Sequence, residues 1–332
     1  MKKTALILAI GASLGANVAV AAPTVYGRVH VSLESVDNEG ATLSGPAVED
    51  LWELNSNASR LGVKGEFDLD VGDLKALYQA EYEIDVDDGG AAPFSQRNIF
   101  AGLAGGFGEL TAGKFDTPLK VAEGKVDQFN DLRADLDNLI GGQNRANNII
   151  QFKSPAFAGG LVARVALIPA EGANVDGEAG PEEGLADTKS VSLTWEKDAL
   201  YLAVAYETDQ AARRSVDGIA RGDLIRAVAT FKPGPFELGA LYQTVEDNVA
   251  GSDLKDDSVL LSGAWNIDRY KLKAQYGVSK GDVTDEEITL AALGLDYKLA
   301  KASRAYLYAA NTERDQADIE DKTFGIGLEH KF

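Results

Sequence analysis

Hydrophobic and polar positions alternate with a period of two along most of the chain, the mark of strands with one apolar and one polar face. Thr24 to Glu34 sets Val25, Val29, Val31 and Leu33 against Arg28, His30, Ser32 and Glu34. Asn55 to Leu69 sets Leu61, Val63, Phe67 and Leu69 against Arg60, Lys64, Glu66 and Asp68. The alternation recurs at 74–84, 96–103, 109–115, 145–153, 160–168, 189–196, 200–207, 223–231, 236–244, 258–266, 270–279, 287–298, 304–311 and 322–332, which predicts sixteen strands in all.

The connections alternate in length. Short ones fall at 70–73, 104–108, 154–159, 197–199, 232–235, 267–269 and 299–302. Long ones fall at 35–50, 85–95, 116–144, 169–188, 208–222, 246–257, 280–286 and 312–321. An antiparallel sheet of that size must dispose of its edges, and closure into a barrel does so. Short turns at one rim and long loops at the other are the pattern of an outer-membrane barrel, whose apolar parity meets lipid and whose polar parity lines the lumen. Tyr82, Trp195, Tyr206, Phe231, Phe236, Tyr242, Trp265, Tyr270 and Phe332 sit near strand ends on the apolar parity, where interfacial girdles belong. A soluble β-sandwich would use those aromatics as core, but it would not give so many strands a shared face of Arg, Glu, Gln, Lys and Ser.

One stretch, 116–144, breaks the alternation. Placed on a helix, it gathers Val126, Phe129, Leu132, Leu136 and Leu139 on one side. Glu123, Asp127, Asp131 and Asp135 follow one another at four-residue spacing on the other, with Asp137 close by. Carboxylates so spaced repel one another along a helix. The residues alone leave two readings: a solvated surface helix, or a loop pressed by its apolar side onto a wall with its acids facing water.

Composition narrows the class. Lys2 and Lys3 precede an apolar run that ends in Ala19-Val20-Ala21, so residues 1–21 read as a signal peptide and 22–332 as a single exported barrel domain. There are no cysteines, which removes disulfides and thiolate chemistry. With 52 acidic against 32 basic residues the net charge is −20, which repels nucleic acid. The two histidines, His30 and His330, leave little room for a metal centre or hydrolase, and we expect neither metal nor cofactor. Gly108, Gly113 and Lys114 have P-loop spacing, but Phe115 stands where Ser or Thr is needed. The run Asp85 to Gly90 lacks the distant Glu of a calcium loop.

Several motifs carry a family resemblance over 22–332. Val25-Tyr26-Gly27-Arg28 opens the first strand. Ser59 to Glu66 (SRLGVKGE) and Arg97 to Leu103 (RNIFAGL) follow, and Phe324, Ile326, Leu328 and His330 lead on one parity to the terminal Phe332. In these the chain resembles the general diffusion porins of Gram-negative outer membranes. The resemblance implies a trimer of sixteen-stranded antiparallel transmembrane barrels whose third external loop folds into the lumen, and the third long connection here is 116–144. It implies a basic cluster on the facing wall, carried onto Arg28, Arg60, Arg97 and Arg145. It makes Phe332 the end of a signal read by the barrel assembly machinery. The expected function is passive diffusion of small hydrophilic solutes and ions across an outer membrane of lipid and lipopolysaccharide, with mild cation selectivity from Glu123, Asp127, Asp131, Asp135 and Asp137. The apolar residues Val126, Phe129, Leu132, Leu136 and Leu139 are then the loop's anchors. A solute-specific porin for sugar or phosphate, a barrel enzyme and a purely structural barrel are the rival readings.

Overall fold

The computed structural model describes residues 22–39, 48–87, 94–171, 184–212, 214–315 and 319–332. The 1–21 segment read as a signal peptide lies outside the described residues. The strands are β1 (Thr24–Glu39), β2 (Val48–Ser56), β3 (Arg60–Asp68), β4 (Lys75–Ile84), β5 (Phe94–Gly105), β6 (Gly108–Asp116), β7 (Arg145–Lys153), β8 (Leu161–Ile168) and β9 (Thr188–Lys197). They continue with β10 (Leu200–Ala211), β11 (Arg221–Phe231), β12 (Phe236–Asp247), β13 (Lys255–Ile267), β14 (Tyr270–Gly281), β15 (Glu287–Ala300), β16 (Ser303–Arg314) and β17 (Ile319–Lys331).

Consecutive strands pair antiparallel, except β2 with β3, and β1 closes the ring. One edge of β1 pairs with β17 from Arg28↔Lys331 to Glu39↔Glu320. Its other edge pairs with β2 and β3 in succession. Those two are halves of one stave, interrupted at Asn57-Ala58-Ser59, so the barrel has sixteen staves. The interruption places Ala58 at a φ of 50°. Its carbonyl and that of Asn57 both accept from the Arg28 guanidinium, at 2.9 and 3.0 Å. Several strands run past the alternating segments at the long-loop rim: β1 reaches Glu39 and β10 reaches Ala211. There the ladder continues beyond the apolar band, where hydrogen bonding alone dictates the conformation and the hydrophobic pattern falls silent.

The distribution of polarity is the reverse of a soluble fold. Val204, Leu261, Ile326 and Leu293 are more than half exposed on the outer face. On the opposite parity Glu34, Arg226, Gln243, Lys273 and Gln275 are buried. The chain terminus is part of the closure: Phe332 exchanges both backbone hydrogen bonds with Gly27, at 2.9 and 3.1 Å. Its ring lies so close that a Cβ on Gly27 would meet it at 2.4 Å.

Leu293, midway along β15, tests which solvent the outer face meets. Leu293→Arg is expected to lower the unfolding free energy of the lipid-reconstituted barrel by roughly 2–4 kcal/mol, read by urea titration. An unchanged midpoint would contradict a lipid-facing position.

Candidate functional site

The segment between β6 and β7 is a chain of tight turns. It opens with α1 (Pro118–Val121), where Thr117 caps the helix by accepting from Lys120 N and Pro118 takes the first-turn position its missing N–H suits. It closes with a 3-10 turn at Leu136–Asn138. Of the two readings, the long surface helix does not form: the only helical pieces are α1 and the 3-10 turn. Gly124 and Asp131 take left-handed conformations at φ values of 61° and 65°. The aspartates compete for the backbone, as short acidic side chains do inside helices. Asp127 accepts from Phe129 N at 2.7 Å and from Leu136 N at 2.9 Å. Asp135 accepts from Asp131 N at 2.5 Å and from Asp137 N at 2.7 Å. The expected single row of carboxylates from Glu123 to Asp135 is therefore corrected: Asp127 and Asp135 fold the segment instead of lying along one face.

Val126, Phe129, Leu132, Leu136 and Leu139 are all buried. Val126, Leu136 and Leu139 share a cluster with Ala203, Leu224, Leu241 and Leu260, which lie on the inward parity of β10 to β13. Phe129 and Leu132 pack with Tyr306 and Tyr308 of β16. Strand glycines make the space: a Cβ on Gly277 would lie 2.2 Å from Leu139, and one on Gly294 would lie 2.9 Å from Phe129.

Polar anchors complete the attachment, and sequence reasoning missed them. Arg226 of β11, fully buried, donates to Leu119 O at 3.3 Å and Gly141 O at 3.0 Å, tying the two ends of the segment together. Gln275 of β14 accepts from Gln128 N at 2.9 Å and donates to Ala134 O at 3.2 Å. Lys273, also of β14, donates to Gln128 O at 3.0 Å. Tyr201 of β10 donates to Ala122 O at 3.0 Å. Their inward parity was visible in the sequence; that their partners would be backbone groups more than a hundred residues away, for all but Tyr201 and Gly141, was not.

The four predicted wall arginines divide. Arg28 and Arg60 both reach Asp131, at 2.6 and 3.2 Å. Arg97 pairs with Glu81 at 2.9 Å and Glu83 at 2.5 Å on β4. Arg145 pairs with Asp116 at 3.0 Å and donates to Asn98 at 2.8 Å. The contacts form an alternating chain of charges. It runs from Lys273 through Asp296, Arg304, Glu329 and Arg28 to Asp131, then through Arg60 and Glu81 to Arg97. Asp131 is the link contributed by the loop. A further loop cation, Arg133, reaches Glu34 at 3.0 Å and also contacts Glu53.

Open space flanks the segment. A cavity of about 510 Å³ is bordered by Arg97, Lys114, Lys120, Asp135, Asp137 and Arg145. A second, of about 640 Å³, is bordered by Arg28, Lys125, Asp127, Lys271, Asp296 and Arg304. Asn130 borders both. Burial pushes Glu123 up to about 7, against the pull of Arg226. Burial likewise pushes Asp127 up to about 6. Burial and the neighbouring Asp127 hold Asp135 well above the usual carboxylate range. Burial would raise Asp131 too, but the Arg28 and Arg60 charges outweigh it and hold it low. Among the described residues no group of three or more His, Cys, Asp or Glu is placed to hold a metal. The P-loop-like Gly108 to Lys114 run is strand β6.

Comparison with known proteins agrees with this architecture. Residues 4–317 match the Gram-negative porin family. The outer membrane porin protein 32 of Delftia acidovorans is 28% identical over 320 residues, spanning 92% of this chain and 88% of that protein. The solved structure of an anion-selective porin from Comamonas acidovorans superposes with a TM-score of 0.73 at 22% identity, covering 93% of this chain and 99% of that one. OmpT of Vibrio cholerae, solved in a trimer form, gives a TM-score of 0.66 at 17% identity over 93% and 99% of the two chains. A closed sixteen-stave barrel, an apolar outer face and a family match over nearly the whole length make one case: this chain belongs to the Gram-negative porin family, as a multi-pass outer-membrane channel protein and not an enzyme.

Proposed function

We propose that the channel conducts small hydrophilic solutes and ions passively, and that 117–144 folds into the lumen and narrows it beside Asn130. The supporting observation is the asymmetric attachment of the segment. Its apolar side chains and carbonyls are held by inward residues of β10 to β16, while only two charged side chains, Asp131 to Arg28 and Arg60 and Arg133 to Glu34 and Glu53, reach β1 to β3 among the described residues. That arrangement fills one side of the barrel and leaves the passage on the side of β3 to β7, where the 510 Å³ cavity lies. Opposed charges across a narrow, low-dielectric frame orient water and dipolar solutes and disfavour apolar ones.

The proposed selectivity is a weak cation preference, smaller than the formal count of loop acids implies. The charge on Asp131 is offset by two arginines, and burial favours the neutral forms of Glu123, Asp127 and Asp135 at low pH. What remains negative is Asp137 at the cavity wall and the acidic external connections. The similar porin from Comamonas acidovorans is described as anion-selective, so ion preference is the sharpest test of this reading. Assembly is proposed as a homotrimer, by analogy with the trimer form of OmpT. It would sit among outer-membrane lipid and lipopolysaccharide, after insertion by the barrel assembly machinery acting on the strand that ends in Phe332.

Three outcomes are expected. Asp131→Asn removes the loop carboxylate shared by Arg28 and Arg60 and leaves them only Glu329 and Glu81, so the cation-to-anion permeability ratio from reversal potentials in a salt gradient should fall by roughly twofold; no shift would remove Asp131 from the passage. Raising pH from 5 to 8 ionises Asp127 near 6 and Glu123 near 7. Each ionisation adds negative charge beside the lumen, so cation preference should rise with pH across that window, and a flat profile would refute the placement. Arg226→Met removes the donor shared by Leu119 O and Gly141 O. Leu119 O then loses its partner, at a cost of about 1–3 kcal/mol, while Gly141 O keeps only Gln243 Nε2 at 3.1 Å; open-channel current noise should increase, and a trace as quiet as the parent's would show that the apolar anchors suffice.

A further inference from the structure

A further external connection, described at Ala212 and 214–220, is built into the same interior. Ala212, Val216 and Ile219 are buried in the cluster that holds Leu136, Leu139 and Ile140 of the first loop. The connection is closed at its base by Ala212 N donating to Ala220 O at 3.1 Å. Asp256 of β13, itself buried, accepts from Val216 N at 2.8 Å and Asp217 N at 3.0 Å. Asp217 in turn accepts from Val283 N and Thr284 N, both at 3.0 Å, on the external connection between β14 and β15. From this braced position Arg214 reaches the 3-10 turn of the first loop. Its Nε donates to Asp137 O at 3.2 Å and its Nη2 to Asn138 Oδ1 at 3.2 Å. Asp137 and Asn138 border the 510 Å³ cavity.

We propose that 214–220 is a strut for the constriction and that Arg214 is a positioning residue, which fixes the Asp137 carboxylate at the wall of the passage without itself bordering it. A guanidinium suits the task because its rigid planar fork aims N–H donors in fixed directions at acceptors on neighbouring residues, whereas the donors of an ammonium rotate at the end of a flexible stem. The Asp256 and Asp217 bonds give Arg214 a fixed base, so the exposed connection around Val283 is mechanically joined to the passage. The proposal rests on 117–144 being the constriction.

The test uses charge-conserving and remote variants of the full-length channel in planar bilayers. Arg214→Lys keeps the charge but loses the fork; it should raise open-channel noise about two- to threefold and shift the reversal potential as the Asp137 carboxylate wanders. Asp217→Asn, distant from the passage, should shift the reversal potential in the same sense by releasing the strut. In an Asp137→Asn background the shift caused by Arg214→Lys should vanish, because the group it positions is gone; neighbouring residues that act as a unit are non-additive in this way. Lys and Asn variants both matching the parent would overturn the proposal, as would an Arg214→Lys shift undiminished by Asp137→Asn. The Asp131→Asn measurement separates the two levels: if it too has no effect, the constriction reading has failed, and if it shifts the potential while Arg214→Lys does not, only the strut has.

Discussion

Every backbone N–H and C=O of a strand in lipid must find its partner within the protein, because the hydrocarbon offers none. The rest of this molecule follows from that constraint. It forces the sheet to close, and closure falls on β1, which is paired along one edge by β17 and along the other by the two halves β2 and β3. It also draws in the terminal residue: Phe332 completes the ladder against Gly27. A free carboxyl-terminal strand would leave both edges of the seam without partners.

Closure turns the usual arrangement of a protein inside out. The apolar parity is spent on the outer face, so the interior must be packed with polar side chains that need partners. The segment 117–144 supplies many of them. Its carbonyls take the Arg226, Lys273, Gln275 and Tyr201 donors. Its apolar residues fill the space over Gly277 and Gly294. Its one strongly paired acid, Asp131, joins the charge chain of β14 to β17 to that of β3 to β5. The loop is held by bonds that the barrel would otherwise leave unmade, which explains how a run of turns with only seven helical residues can keep a fixed position.

The same physics sets the electrostatics of the passage. A carboxylate in the loop can face water or cap a turn, and at Asp127 and Asp135 the backbone donors are closer. Net charge over the whole chain is therefore a poor measure of the field beside the loop. Arg97 and Arg145, matched by family motif to the basic wall, border the cavity but neutralise Glu81, Glu83 and Asp116 on their own side.

By itself the sequence determined the barrel. Period-two alternation is a local property of each strand, and the long-short rhythm of connections counts staves without knowledge of any contact. It also marked 116–144 as the exceptional loop and put its apolar residues on one side, because a spacing of three and four survives in consecutive turns as well as in a helix. Only the tertiary structure decided what the polar residues do. Whether Asp127 is a free charge or a cap depends on where Phe129 N and Leu136 N point. Whether Arg226 or Arg28 holds the loop, and whether 214–220 lies against it, depends on residues far apart in sequence meeting across a closed barrel. A single inward polar position looks the same in the sequence whichever partner it finds; the partner is fixed by closure, which no short window of residues contains.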